Sequence, residues 1–217
     1  MTDKSSPTDK PQLPEPTLRR LPWYLAYVST LVASGVEYVS TTRIAEALNV
    51  DTSQIAKDLS FLGIRGKTRI GYLVVALEDK LSSFLGFRSR HNAIIVGVGS
   101  LGAALIADSG LQRYGLNIVA GIDNNPSLVG TKICGVEIFH PDRAAELVAR
   151  FGARIGILAV PFESAQSVSD RLADAGVKAI WNFTPSHIRV PEGMVLANTS
   201  IYSHLAVMYN RLSALDE

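Results

Sequence analysis

The run Gly97-Val98-Gly99-Ser100-Leu101-Gly102 is the part of this 217-residue chain whose residue types most directly imply chemistry. It follows a short apolar stretch, Ala93–Val96, and opens a helical pattern, which is the context a dinucleotide-binding turn requires. Gly97 permits the tight turn, Gly99 lets backbone approach a pyrophosphate, and Gly102 lets helix and strand pack closely. Amides at the helix start then point at phosphate, aided by the helix dipole. Asp123 ends the next apolar strand, 21 residues beyond Gly102, where a carboxylate accepts hydrogen bonds from the adenosine ribose. Asn124 and Asn125 follow it, so no adjacent cation awaits a 2′-phosphate, and NAD(H) is favoured over NADP(H). Another adenine nucleotide or CoA remains compatible with the same glycines. Val160-Pro161 and Asn182-Phe183 fall where two later strands end. Such positions either flank the nicotinamide or are ordinary proline-terminated strand ends.

A second constellation lies upstream. Residues 42–60 read as helix-turn-helix, with the turn at Asn49-Val50. Burying Ile55, Leu59 and Leu62 leaves Ser53, Lys57 and Ser60 outward, flanked by Gln54, all suited to phosphates or base edges. Gly63–Tyr72 carries three glycines and the cations Arg65, Lys67 and Arg69, and is expected to form a hairpin wing on DNA. Charge on a hairpin is otherwise only a solvated edge. The two features adjacent and in order favour the nucleic-acid reading.

The elements that must position these groups are legible as periodicities. From Thr17, Leu21, Tyr24, Leu25 and Val28 recur at helical spacing, with Pro22 near the first turn and Gly35 as the stop. Ser40 or Thr41 caps a second helix, and Asp51 with Gln54 suggests a capping-box variant on a third. After the hairpin a connecting helix ends near Gly86. The second half alternates strands at 93–96, 116–122, 136–139, 155–160, 177–181 and 194–197 with helices at 101–113, 142–151 and 163–175. That order predicts an α/β parallel sheet covered on both faces. A last helix, about 200–214, carries Ile201, Leu205, Met208 and Leu212. The expected organisation is a tail over 1–16, a winged-helix unit over 17–87, a Rossmann unit over 88–199 and a dimerisation helix over 200–217.

Composition agrees with two small domains. Apolar residues make up 47% of the chain and charged residues 19%, enough to pack cores. Residues 1–90 hold 12 Lys/Arg against 9 Asp/Glu, and 91–217 hold 9 against 11, so the slight basic bias falls on the half that reads as DNA-binding. The single cysteine, Cys134, forms no internal disulfide and reads as a small buried residue in a reducing cytoplasm. The polar, proline-rich start lacks an apolar signal core, and no run is long enough to span a membrane. An NAD-dependent dehydrogenase with a helical accessory domain is the alternative. It needs a proton donor near the nicotinamide. However, no Tyr-x-x-x-Lys occurs, His140, His187 and His204 lack sequence partners, and no substrate domain follows the nucleotide unit.

These motifs in series resemble the Rex family of redox-sensing transcriptional repressors. The carriers are Arg20-Leu21-Pro22 with Tyr24-Leu25, Val36-Glu37-Tyr38-Val39-Ser40, and Lys57-Asp58-Leu59-Ser60 leading to Gly66-Lys67 and Gly71-Tyr72. The Gly97–Gly102 loop, Asp123, Val160-Pro161, Asn182-Phe183 and Val190-Pro191-Glu192-Gly193 complete it. The resemblance implies no enzyme activity. It implies a homodimer that exchanges its C-terminal helix and binds palindromic operator DNA, released when NADH outcompetes NAD+. It also marks departures. Ala56 stands where the family usually has Arg, Asp108 where it commonly has Tyr, and Ser200 where it commonly has Asp. The last two positions belong to the family's sensing network with an N-terminal Arg, matched here to Arg20, so an Asp108–Arg20 pair is a conceivable replacement.

Overall fold

The apolar spacing of the first helix is realised in full. A computed structural model describes residues 13–215, so the expected tail lies mostly outside the described residues. Its last part is folded: Leu13 is buried and helix α1 (Glu15–Ala33) opens two residues before Thr17. Pro22 therefore stands inside the helix and not in its first turn, as the earlier start dictates. Thr17, Leu21, Tyr24, Leu25, Val28 and Leu31 face inward, and Gly35, at φ +68°, ends the run.

The chain divides after Arg88 into two compact units. In the first, β1 (Tyr38–Val39) leads to α2 (Thr41–Leu48), which Ser40 caps by accepting from the Arg43 amide. Asn49 turns in the left-handed region at φ +50°, and α3 (Thr52–Ser60) follows. Asp51 caps α3 through the amides of Ser53 and Gln54. The capping box is incomplete, because the Gln54 side chain turns to Asp58 one helical turn on. Within the expected hairpin over 63–72, the chain reverses tightly where Lys67 and Gly71 exchange both backbone hydrogen bonds. The only ladder within that segment is this single bridge, and the two-stranded sheet joins β1 to β2 (Tyr72–Leu73). Gly71 is obligatory there: at φ +101°, a Cβ would lie 2.2 Å from the Val39 carbonyl oxygen. Helix α4 (Val74–Phe84) packs on α1 around Ile44, Ile55, Leu59, Leu77 and Leu81.

The second unit is a seven-stranded sheet. In chain order it comprises β3 (His91–Val96), α5 (Ser100–Ala107), α6 (Ser109–Arg113), β4 (Leu116–Ile122), β5 (Lys132–Ile133), β6 (Val136–Phe139), α7 (Ala144–Phe151) and β7 (Ile155–Leu158). Then come α8 (Ala165–Asp174), β8 (Ala179–Asn182), β9 (Val195–Asn198) and α9 (Ile201–Ser213). The strand order is β5-β6-β4-β3-β7-β8-β9, parallel except for β5. Strand β3 shows why the strands read as unbroken apolar runs. Ala93 and Ile95 enter one core with Ile106 and Ile118, while Ile94 and Val96 enter another with Leu147 and Leu172. The helix expected over 101–113 is broken at Asp108, whose carboxylate caps α6. Strand β5 was not apparent from the sequence. It meets β6 across Cys134-Gly135, both left-handed, and Cys134 is exposed there and not buried as its residue type suggested.

Candidate functional site

Beyond β3 the chain turns into α5 at the point where the sheet's connections diverge, towards β4 on one side and β7 on the other. Open parallel sheets bind ligands at such a point. The three glycines have separate reasons to be there. A Cβ on Gly97 would lie 2.4 Å from the Ala159 carbonyl oxygen, and one on Gly102 would lie 2.0 Å from the Gly97 oxygen, so both are demanded by packing. Gly99 meets nothing within 4 Å. The fold leaves that flank open, as backbone approach to a pyrophosphate requires. Val98 is buried in the core, Ser100 begins α5, and Leu101 stands partly exposed on its first turn.

Asp123 binds the loop as well as terminating β4. Its Oδ2 accepts from the Val98 amide at 2.7 Å, and its Oδ1 from the Asn125 amide at 2.8 Å. Each oxygen keeps acceptor capacity for a ribose hydroxyl. A cavity of about 300 Å³ adjoins it, lined by Gly97, Asp123, Asn124, Val160, Pro161 and Arg171 among others. Val160 and Pro161 thus share a wall with the Asp123 carboxylate. Arg171 escaped sequence reading because an exposed cation on a helix looks like a solvated face. Its position one turn after Ser167, also on the cavity wall, was the available signal.

Asn182 and Phe183 are not among the lining residues. Asn182 is buried and spent internally: its Nδ2 donates to the Ser186 carbonyl and Asn198 Oδ1, and its Oδ1 accepts from the Thr184 amide and hydroxyl. Phe183 packs against Trp181 with ring centres 4.6 Å apart. These two residues hold the strand end in place.

In the first unit, Ser53, Lys57 and Ser60 share the exposed face of α3, as the periodicity predicts. Gln54 lies towards α1, and its Nε2 donates to Asp58 Oδ1 at 2.8 Å. Arg65, Lys67 and Arg69 are exposed on the loop before β2. Lys67 Nζ lies 3.2 Å from the Tyr38 hydroxyl and 5.3 Å from that ring's centre, so the phenol steadies the ammonium.

The residue that sequence reading missed is Asp58. Fully buried, it accepts from Thr17 Oγ1, Arg20 Nη2 and Gln54 Nε2 on one oxygen, and from Arg20 Nε and Tyr24 Oη on the other. Burial alone pushes its pKa up. The donors, Arg20 foremost, more than offset this and hold the carboxyl below its ordinary value. The same carboxylate raises the Arg20 pKa, and burial followed by Asp58 pushes the Tyr24 phenol up to about 12. An Asp among Ile55, Leu59 and Leu62, with Thr17, Arg20 and Tyr24 at helical spacing on α1, was the signal. Arg20 is therefore engaged with Asp58, and Asp108 with the α6 amides.

The histidines show no catalytic arrangement among the described residues. His140 faces the exposed Asp142 at 3.1 Å, and His204 Nδ1 lies 2.9 Å from the Ser200 carbonyl oxygen. No group of three or more His, Cys, Asp or Glu among the described residues could hold a metal. No helix among them is long and apolar enough to cross a membrane.

Fold and site together define a class: a winged helix-turn-helix unit joined in one chain to a Rossmann-type dinucleotide unit. Comparison with known proteins gives the family. Residues 12–60 match the family described as putative DNA-binding protein N-terminus, and residues 88–186 match the CoA binding domain. The redox-sensing transcriptional repressor Rex of Porphyromonas gingivalis is 56% identical over 204 residues, 94% of each chain. That of Bacteroides fragilis is 54% identical over 213 residues, 98% of this chain and 97% of its own. Among solved structures, that of RSP in complex with beta-NAD+ and operator DNA is 35% identical, covers 94% of both chains and superposes with a TM-score of 0.90. The complex of RSP with beta-NADH, also 35% identical, gives 0.84 over 94% of this chain and 96% of the other. The chain belongs to the Rex family of redox-sensing transcriptional repressors. That membership removes the dehydrogenase alternative.

Proposed function

We propose that this chain is a cytoplasmic transcriptional repressor that senses the NADH/NAD+ ratio, binds operator DNA as a homodimer and is released by NADH. One observation carries the proposal: a single chain holds both the exposed Ser53/Lys57/Ser60 face and the open Gly99 flank beside Asp123. Relatives of similar architecture support it, since the RSP structures hold beta-NAD+ with operator DNA in one case and beta-NADH in another.

In this reading Ser53, Lys57 and Ser60 meet the major groove, with Gln54 beside them, and Arg65, Lys67 and Arg69 meet the backbone or minor groove. The turn from Gly97 to Gly102 cradles the pyrophosphate, Asp123 and Asn124 take the ribose, and Val160 and Pro161 wall the adenosine cavity. Asn182 and Phe183 shape the far strand end. The segment from Ser200 onward is the dimerisation element, exchanged between subunits. It is supported by the exposure of Ile201, Met208 and Leu212 along α9, which has no buried residue in the single chain. Two-fold symmetry in the protein then mirrors a palindromic operator.

NADH shifts the balance between DNA-bound and released states only by its differential affinity for them. A 100-fold effect on operator affinity corresponds to about 2.7 kcal/mol of that difference. The test is titration of a fluorescent palindromic duplex, selected in vitro with this protein, with NADH, NAD+ or neither present. Loss of binding with NADH and retention with NAD+ is expected. Tight duplex binding indifferent to both nucleotides would overturn the sensing role and leave the DNA-binding one.

A further inference from the structure

We propose that Asp58, clamped by Arg20, is a positioning residue for operator reading: it fixes the rotation of α3 about its own axis. The proposal rests on the DNA-binding reading above. Helix α3 is only nine residues long, and its apolar anchorage is Ile55 and Leu59, with Leu62 half-buried just beyond. Contacts of that kind are non-directional, so they hold the helix down without fixing its roll. A roll of roughly 20° moves a side-chain tip about 5–6 Å from the axis by about 2 Å, more than a base-edge hydrogen bond tolerates.

The carboxylate supplies the missing direction. Thr17, Arg20 and Tyr24 lie on one face of α1 and between them reach both carboxylate oxygens of Asp58 at 2.7–2.9 Å. Arg20 grips it through Nε and Nη2 together, a planar fork that tolerates little rotation. Gln54 closes the set from within α3, so its amide orientation is tied to the same point. Cohesion alone does not account for an ion pair here, because apolar side chains of equal volume often stabilise a core as well or better. Angular definition does account for it. The residues held in register, Ser53, Lys57 and Ser60, stand on the face turned away from this anchor.

The experiment measures the full chain's affinity for its selected operator and for a scrambled duplex of equal length. It is run at a temperature where circular dichroism shows each variant folded. The variants are Arg20→Lys, which keeps the charge and loses the fork, and Tyr24→Phe combined with Thr17→Val, which removes two hydrogen bonds at nearly constant shape. The operator-to-scrambled ratio is expected to fall about tenfold in each, with the scrambled affinity and its salt dependence close to wild type. Should Arg20→Lys not fold, the double variant decides alone. A wild-type ratio in folded variants, or equal losses on both duplexes, would overturn the positioning role. A wild-type protein that discriminates no duplex would remove the operator reading itself, a separate and recognisable failure.

Discussion

The Asp123 carboxylate accepts a hydrogen bond from the Val98 amide across 2.7 Å, tying the end of β4 to the glycine-rich turn. A residue that reads from sequence as a ribose ligand thus also braces the glycine-rich loop. Asp123→Ala is expected to lose both roles. We predict a fall in NADH affinity of about 10- to 100-fold, or ~1.4–2.8 kcal/mol, measured by calorimetric titration. Because the loop is disturbed as well as the ribose contact, affinity for a mononucleotide such as AMP should fall too. An unchanged NADH affinity would overturn both the ribose contact and the dependence of binding on this brace.

The glycines of the same turn separate packing from ligand approach. Gly102→Ala places a methyl 2.0 Å from the Gly97 carbonyl oxygen, which forces the strand and helix apart. Overpacking of this kind typically costs about 1–3 kcal/mol, so a lower melting temperature is expected. Gly99 has no neighbour within 4 Å and is not left-handed, so Gly99→Ala should melt like the wild type. Its methyl would instead occupy the flank offered to pyrophosphate and weaken NADH binding by at least about tenfold. Thermal unfolding should therefore single out Gly102→Ala, and NADH titration at unchanged melting temperature should single out Gly99→Ala.

What was legible in the sequence follows from how local each cause is. Caps at Ser40 and Asp51, the left-handed Asn49 and the glycine turn are decided within a few residues, and all stand as the residue types imply. The strands behind the wing are not legible, because 38–39 and 72–73 pair across more than thirty intervening residues, and two-residue strands leave no alternation to detect. Asp108 broke a helix that apolar periodicity alone would continue, since a carboxylate inside a run can cap a new turn. Asp58 is illegible for the opposite reason: the donors a buried carboxylate needs come from elsewhere in the fold, which no spacing within α3 reveals.

That buried carboxylate and its phenol give the N-terminal unit opposite pH limits. The Asp58 pKa is depressed in the folded state, so its contribution is present above the unfolded carboxyl value, about 3.9, and is lost as pH falls through the lower folded value. The Tyr24 pKa is raised to about 12, so its contribution is complete below the unfolded value near 10 and is lost as pH rises through about 12. Denaturant unfolding monitored across pH should show a decline beginning above pH 10. Tyr24→Phe should flatten that alkaline decline while leaving the acid limb, and an alkaline decline unaltered in the variant would assign it to other groups.

Phosphate contact by the outward cations has a signature independent of base reading. Each neutralised phosphate releases condensed counterions, so removing one contacting cation reduces the slope of log affinity against log salt by about 1. Arg65→Ala and Arg69→Ala should each do so on operator and scrambled duplexes alike. Lys67 adds a distinction, because Tyr38 holds its ammonium through both the hydroxyl and the ring. Tyr38→Ala should weaken binding with the slope retained, since the charge is still present but no longer held in place. A slope reduced in Tyr38→Ala as much as in Lys67→Ala would mean that the phenol itself is needed to bring the cation to a phosphate.

Helix α9 provides the last test, because its apolar side chains are not buried by any surface among the described residues. Ile201 is 50% exposed, Met208 47% and Leu212 51%, and only Leu205 along that stripe is half-buried. Covering a side chain of this size is worth about 1.5–3 kcal/mol when complete, so several together are sufficient to drive association. Met208→Asp with Leu212→Asp would place two charges in the proposed interface and should leave the protein monomeric by sedimentation equilibrium. The fold of each unit should persist, since neither residue contributes to a core. Operator affinity should then drop by far more than the loss of any single contact, because two half-sites are no longer engaged together and the second loses its effective concentration. If the double variant remained a dimer, the exposed stripe would belong to some other contact, and the exchange of this helix between subunits would have to be abandoned.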